Sequence, residues 1–116
     1  WDFFWPLFQE VREKSLSGNV WLCFDPANFS LAREVSRIME IVVAIDKAYI
    51  SMLHVKQANN GVIETELCDG DVPWAEVVQE LLKSGYNGPM MFEFTSSPEV
   101  ERVTAEALYK WRTWLQ

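Results

Sequence analysis

The chain has 116 residues and a hydrophobic fraction of 49%, enough for one packed domain and too apolar for a disordered segment. A formal charge of −7 and a pI near 4.6, with 10 scattered Lys and Arg, exclude the clustered basic surface that grips nucleic-acid phosphates. No apolar run approaches the roughly 20 residues that cross a bilayer, and the first residues lack signal-peptide order. The expectation is a soluble, cytoplasmic protein with neither nucleic acid nor membrane as partner.

The first segment, "WDFFWPLFQEVREKS", sets Phe4, Leu7, Phe8 and Val11 at helical spacing and predicts an amphipathic helix. After the "LSGN" break, "VWLCF" is apolar at every position, the pattern of a strand buried on both faces of a parallel sheet. A helix is expected from about Leu31 to Ala48, with Val35, Ile38, Met39, Val42 and Ile45 on one stripe. "YISMLHV" is the second strand. The polar stretch "KQANNGVIETELCDGDVP" is long for a connection, and its "NNG" between "KQA" and "VIETEL" suits a small hairpin. "DVPWAEVVQELLKSGY" predicts a helix with Val77, Val78, Leu81 and Leu82 inward and Gly85 at its stop. "PMMFEFT" is the third strand. In "SSPEVERVTAEALYKWRTWL", Ser97 is the expected cap and Pro98 the first helical residue, with acids early and Lys110 and Arg112 late. Cys23 and Cys68 form no Cys-x-x-Cys pair and are expected to be reduced.

Strands alternating with helices call for a parallel sheet with right-handed crossovers. Three strands neither close a barrel nor make a large sheet. The fold class expected is therefore α/β, with residues 1–116 forming the last three or so βα units of an eight-stranded barrel of about 250 residues. A small open three-layer domain is the alternative.

All three strands end alike: "VWLCF" at Asp25, "YISML" at His54 and "PMMF" at Glu93. In parallel α/β folds the carboxyl ends of the strands share one face, and ligands bind there. An Asp, a His and a Glu meeting on that face suit a divalent cation (Mn, Co, Mg or Zn) and leave positions open for water or substrate. Each residue also has a plainer role. Asp25 before Pro26 can simply open a turn, and His54 between Leu53 and Val55 can be a satisfied core histidine. Glu93 between Phe92 and Phe94 is harder to explain away, because an acid on an aromatic strand is costly unless paired or ligating. Trp74 and Tyr86 are read as packing residues.

The phrases "LCFDPANF", "MLHVKQ" and "DGDVPWAEVVQELLKSGYNGPMMFEF" together resemble the C-terminal part of the sugar-phosphate isomerase/epimerase family with the xylose-isomerase-like TIM barrel. The resemblance covers nearly the whole chain. It implies that Asp25, His54 and Glu93 are three of four metal ligands, and that Glu93 is also one of two acid/base glutamates moving a proton next to a sugar carbonyl. The fourth ligand, a glutamate from an earlier strand, has no counterpart among these residues. Asn28 stands where many relatives have His, and it is assigned to substrate hydroxyls. Lys56 is assigned to a substrate phosphate or enediolate, and Gln57 replaces the relatives' acid. Glu64 and Glu66 stand where related endonucleases have a metal-binding Asp-x-His pair. The implied ligand is a sugar or sugar phosphate, and the isolated chain is expected to be inactive. The rival expectation is a non-catalytic half barrel that binds or assembles, by self-association or by pairing with an N-terminal half.

Overall fold

Residues 1–95 and 97–116 are described by a computed structural model. Its helices are α1 (Phe4–Lys14), α2 (Ala27–Leu31), α3 (Ile38–Ala44), α4 (Trp74–Lys83) and α5 (Val100–Trp114). Its strands are β1 (Leu22–Phe24), β2 (Ile50–Val55), β3 (Ala58–Asn59), β4 (Val62–Ile63) and β5 (Met90–Phe92). β1, β2 and β5 lie side by side and parallel, while β3 and β4 form a separate antiparallel hairpin. The result is a partial barrel wall, not a closed barrel.

Side chains alternate across a strand, so each strand has two faces. Leu22, Phe24, Leu53 and Val55 point to one face and are buried in one core with Ile38, Ile41, Val42, Val77, Val78 and Leu81 of α3 and α4. The register pairs Cys23 with Met52 and His54 with Met91 on the opposite face. That face is open: Cys23 is exposed and Met91 is 43% exposed. The expectation that "VWLCF" is buried on both sides is therefore corrected to one side. Among the described residues α3 and α4 pack on the buried face while the opposite face stays open, so the three-layer alternative does not form either. In a closed barrel the open face is the one that points inward.

The helix expected over residues 31–48 is a second correction. The chain instead runs through α2, a 3-10 turn at Val35–Arg37, α3 and a second 3-10 turn at Lys47–Tyr49. The break lies at Arg33, which adopts φ 61° while Glu34 N–H donates to Phe29 O at 2.7 Å. This is a Schellman-type helix end, in which a left-handed residue satisfies the last carbonyls. Ile38, Val42 and Ile45 are buried as expected, whereas Val35 and Leu82 are exposed. On α1 only Phe8 is buried, and Phe4, Leu7 and Val11 are exposed. Phe8 and Trp5 pack against Tyr49 with ring centroids 5.8 and 5.9 Å apart. Ser97 does accept the Glu99 N–H at 3.1 Å, but α5 begins at Val100, so Pro98 belongs to the turn before it. Cys23 and Cys68 are both free thiols.

The hairpin forms as expected, with Asn60 and Gly61 at φ 51° and 78°, the double left-handed step of a two-residue turn. What locks the long connection is Gln57. Its side-chain NH2 donates to Cys68 O (2.9 Å) and Val72 O (3.0 Å), and its Oε1 accepts from Ala58 N–H (2.9 Å) and Val72 N–H (3.0 Å). The loop presses so closely here that a Cβ on Gly70 would lie 2.5 Å from Ala58 O. A carboxylate cannot donate, so an acid at this position would face two carbonyls. Gln57→Glu is accordingly expected to lower unfolding stability by about 3 kcal/mol, from two lost donors at a buried site. Chemical denaturation beside the parent chain measures this, and an unchanged midpoint would refute the four-bond lock.

Candidate metal and substrate site at the strand ends

Asp25 leaves β1 as a buried residue and performs two tasks with its two oxygens. Oδ1 accepts the Ala27 N–H at 3.0 Å, which opens the turn into α2, and Oδ2 pairs with Lys56 Nζ at 2.8 Å. The turn-forming role and the strand-end role thus coexist. His54 stands on the open face of β2, and its Nδ1 lies 2.7 Å from Glu93 Oε2. Glu93 follows β5, fixed by its own N–H donating to Val55 O at 3.0 Å. Lys56 lies two residues past His54, hence on the same face, and its Nζ is 3.1 Å from Glu93 Oε2. One hydrogen bond sets its backbone, from Trp74 Nε1 to Lys56 O at 2.9 Å.

One donor atom from each of Asp25, His54 and Glu93 lies within 4.8 Å of the others. That is close to the separation of two donors on opposite sides of an ion that bonds each at about 2.0–2.2 Å. The oxygen, nitrogen, oxygen set fits a divalent cation in chemistry and in reach, and three protein donors leave coordination positions open. Among the described residues no other group of three or more such side chains gathers in this way. Glu66 is taken by Arg102 at 2.6 Å.

The charges are strongly coupled. Burial pulls the Lys56 ammonium toward its neutral form, but hydrogen bonds and charge from Asp25 and Glu93 outweigh it and hold its pKa above the ordinary lysine value. Burial likewise pushes Glu93 up, yet Lys56 and then His54 hold it below the usual glutamate value. Cys23, beside them on the open face, is pushed up by burial and by the Asp25 and Glu93 charges, so its thiol stays protonated.

Asn28, in the first turn of α2, is exposed and stands apart from the ion pairs. With Asp25, Cys23, Phe29 and Trp1 it lines a groove of about 270 Å³. Sequence reasoning missed this aromatic wall. It also missed that Lys56 pairs with both carboxylates, although His-x-Lys on a strand carries that signal through its period of two. Trp74 and Tyr86 are buried packing residues that also bond backbone, Tyr86 through its hydroxyl to Pro89 O at 2.8 Å.

A family model described as xylose isomerase-like TIM barrel matches residues 3–114, and the chain belongs to that family. No curated protein and no solved structure matches the chain.

Asp25→Asn keeps an oxygen for the Ala27 N–H and removes only the charge that faces Lys56. It is expected to cost about 2–3 kcal/mol, somewhat less than breaking a fully buried pair because Glu93 remains as a partner. Thermal and urea melts check this; a loss within error would mean that the Asp25–Lys56 pair does not hold the strand ends together.

Proposed function

We propose that these residues carry the C-terminal part of the active site of a metal-dependent sugar or sugar-phosphate isomerase/epimerase. The observation that supports this reading best is the convergence of Asp25, His54 and Glu93 at the ends of three adjacent parallel strands. Family membership agrees with it. Asp25 and His54 would hold the cation together with Glu93. A divalent cation so held supplies Lewis acidity that polarises a carbonyl and makes the neighbouring C–H acidic.

The work of this chain's own residues differs by exposure. Asp25 is buried and anchored to α2, which suits a fixed ligand. Glu93 has a side chain 43% exposed, so it faces incoming substrate, and its lowered pKa keeps it ionised at neutral pH. An ionised carboxylate beside the acidic C–H can take that proton and return it, which is the proton movement of an isomerase or epimerase. Asn28 offers an amide to a sugar hydroxyl, and Trp1 and Phe29 offer flat apolar faces to its C–H bonds. Lys56 offers its ammonium to a developing oxyanion. Four ligands and a second acid/base group complete such a site in the family, so these residues alone are proposed to bind metal without turnover.

Calorimetric titration with Mn²⁺ should give one ion per chain, with affinity reduced at least tenfold in His54→Ala and in Glu93→Gln. Affinity unchanged by both substitutions would sink the reading.

A specific observation also favours the assembly reading. The open sheet face exposes Cys23 and Met91, and α1 exposes Phe4, Leu7 and Val11 in a helical stripe. Apolar faces and unpaired strand edges of this kind drive association. The chain is proposed to pair through them, with itself or with an N-terminal half barrel. Sedimentation velocity should show concentration-dependent association that Met91→Lys weakens; a monomer at all concentrations that leaves an apolar dye dark would count against pairing.

A further inference from the structure

The candidate metal site already contains a cation. Lys56 is 8% exposed, and its ammonium bridges Asp25 Oδ2 at 2.8 Å and Glu93 Oε2 at 3.1 Å. The same Glu93 oxygen also meets His54 Nδ1 at 2.7 Å. All three side chains offered to a divalent ion are therefore engaged, directly or through Glu93, by one lysine. Two carboxylates drawn this close repel each other unless positive charge stands between them, and among the described residues Lys56 is the only Lys or Arg paired with either. A divalent ion would need those same oxygens. An ammonium held against them would then face a dication at a few ångströms, where like charges repel strongly.

From this geometry we infer that Lys56 is a resident counter-cation that competes with the divalent ion for Asp25 and Glu93, so that metal binding is an exchange of ammonium for metal. The inference rests on the reading of Asp25, His54 and Glu93 as a metal site and adds its regulation. The wild-type chain binds through the fraction of molecules in which Lys56 has let go, and the apparent affinity falls by that fraction. The exchange also has a consequence for substrate. A lysine bound to two carboxylates has two of its three N–H donors occupied, whereas a displaced one has all three free for the oxygens of a sugar or sugar phosphate. Metal binding would thus arm the residue that recognises the substrate.

The test titrates Mn²⁺ into the wild-type chain and into Lys56→Met, which keeps an unbranched apolar stem and removes the charge. Free Mn²⁺ is counted by electron paramagnetic resonance. In parallel, wild-type chain is treated with an amine-acetylating reagent with and without saturating Mn²⁺, and modification of Lys56 is read by mass spectrometry against Lys14 and Lys83. Exchange predicts at least tenfold tighter Mn²⁺ binding in Lys56→Met, and several-fold faster acetylation of Lys56, but not of Lys14 or Lys83, once metal is bound. Equal or weaker binding in Lys56→Met while the wild-type chain does bind Mn²⁺ would leave the metal site standing and overturn the competition. Absence of binding in both chains would overturn the metal site and the competition together. Should Lys56→Met fail to fold, the wild-type acetylation arm decides alone: unchanged Lys56 reactivity on metal binding overturns the exchange.

Discussion

The ammonium of Lys56, 2.8 Å from Asp25 and 3.1 Å from Glu93, ties together the ends of all three parallel strands. Lys56 directly follows the middle strand, and its two partners directly follow the strands on either side. A short sheet of this kind has few ladder hydrogen bonds, so an ion pair that crosses both strand junctions fixes the relative positions of the ends. It also decides the chemistry available there. The cluster as it stands carries two negative charges and one positive, with His54 poised beside Glu93. Any cation that enters must take over the balance that Lys56 now provides, and any variant that removes Lys56 leaves two buried or half-buried acids facing each other.

The rest of the fold serves to hold Lys56 and its strand in place. Trp74, buried at the start of α4, donates to the Lys56 carbonyl and packs edge-on against Trp111 of α5, with centroids 6.3 Å apart. Gln57, the next residue, points to the opposite side and closes the long connection with four hydrogen bonds. Adjacent residues just past the end of β2 thus divide two tasks: Lys56 bonds the site carboxylates and Gln57 bonds the scaffold. Lys110 of α5 donates to Leu67 O at 2.6 Å, and this ties the same connection to the last helix. The hairpin of β3 and β4 is pinned to α2 through Ser30, whose hydroxyl accepts the Gly61 N–H at 3.0 Å and donates to Asp71.

Much of this was legible in the residues, for physical reasons that can be named. The parallel strands follow from apolar runs separated by helical patterns, and Asp25, His54 and Glu93 stand out because polar groups at the ends of such runs need a partner. Arg33 shows where that legibility stops. A glycine at its position would have announced the left-handed residue that ends α2, but an arginine gives no sign of it, so the helical stripe from Val35 to Ile45 looked continuous with Leu31. The exposed faces of α1 and β1 failed for a different reason. An apolar residue reports that burial is favourable, not that a neighbour is present to provide it. Gln57 was noticed only as a departure from an acid, because the two carbonyls that require its amide lie 11 and 15 residues further along the chain.

The open face joins the catalytic and the assembly readings into one physical question. Glu93 and His54 share that face with Cys23, Met52 and Met91, so whatever covers the apolar residues also covers the candidate metal site. With the face open, water screens Glu93 and weakens every electrostatic interaction it makes. Covering it would remove water, strengthen the pull of a bound cation on a carbonyl and raise the penalty on any charge left unpaired. Lys56 would then be held more tightly by its carboxylates in the absence of metal and repelled more strongly in its presence. Closure of the barrel wall would therefore sharpen the exchange between ammonium and metal, and the state of assembly becomes part of the chemistry of the site.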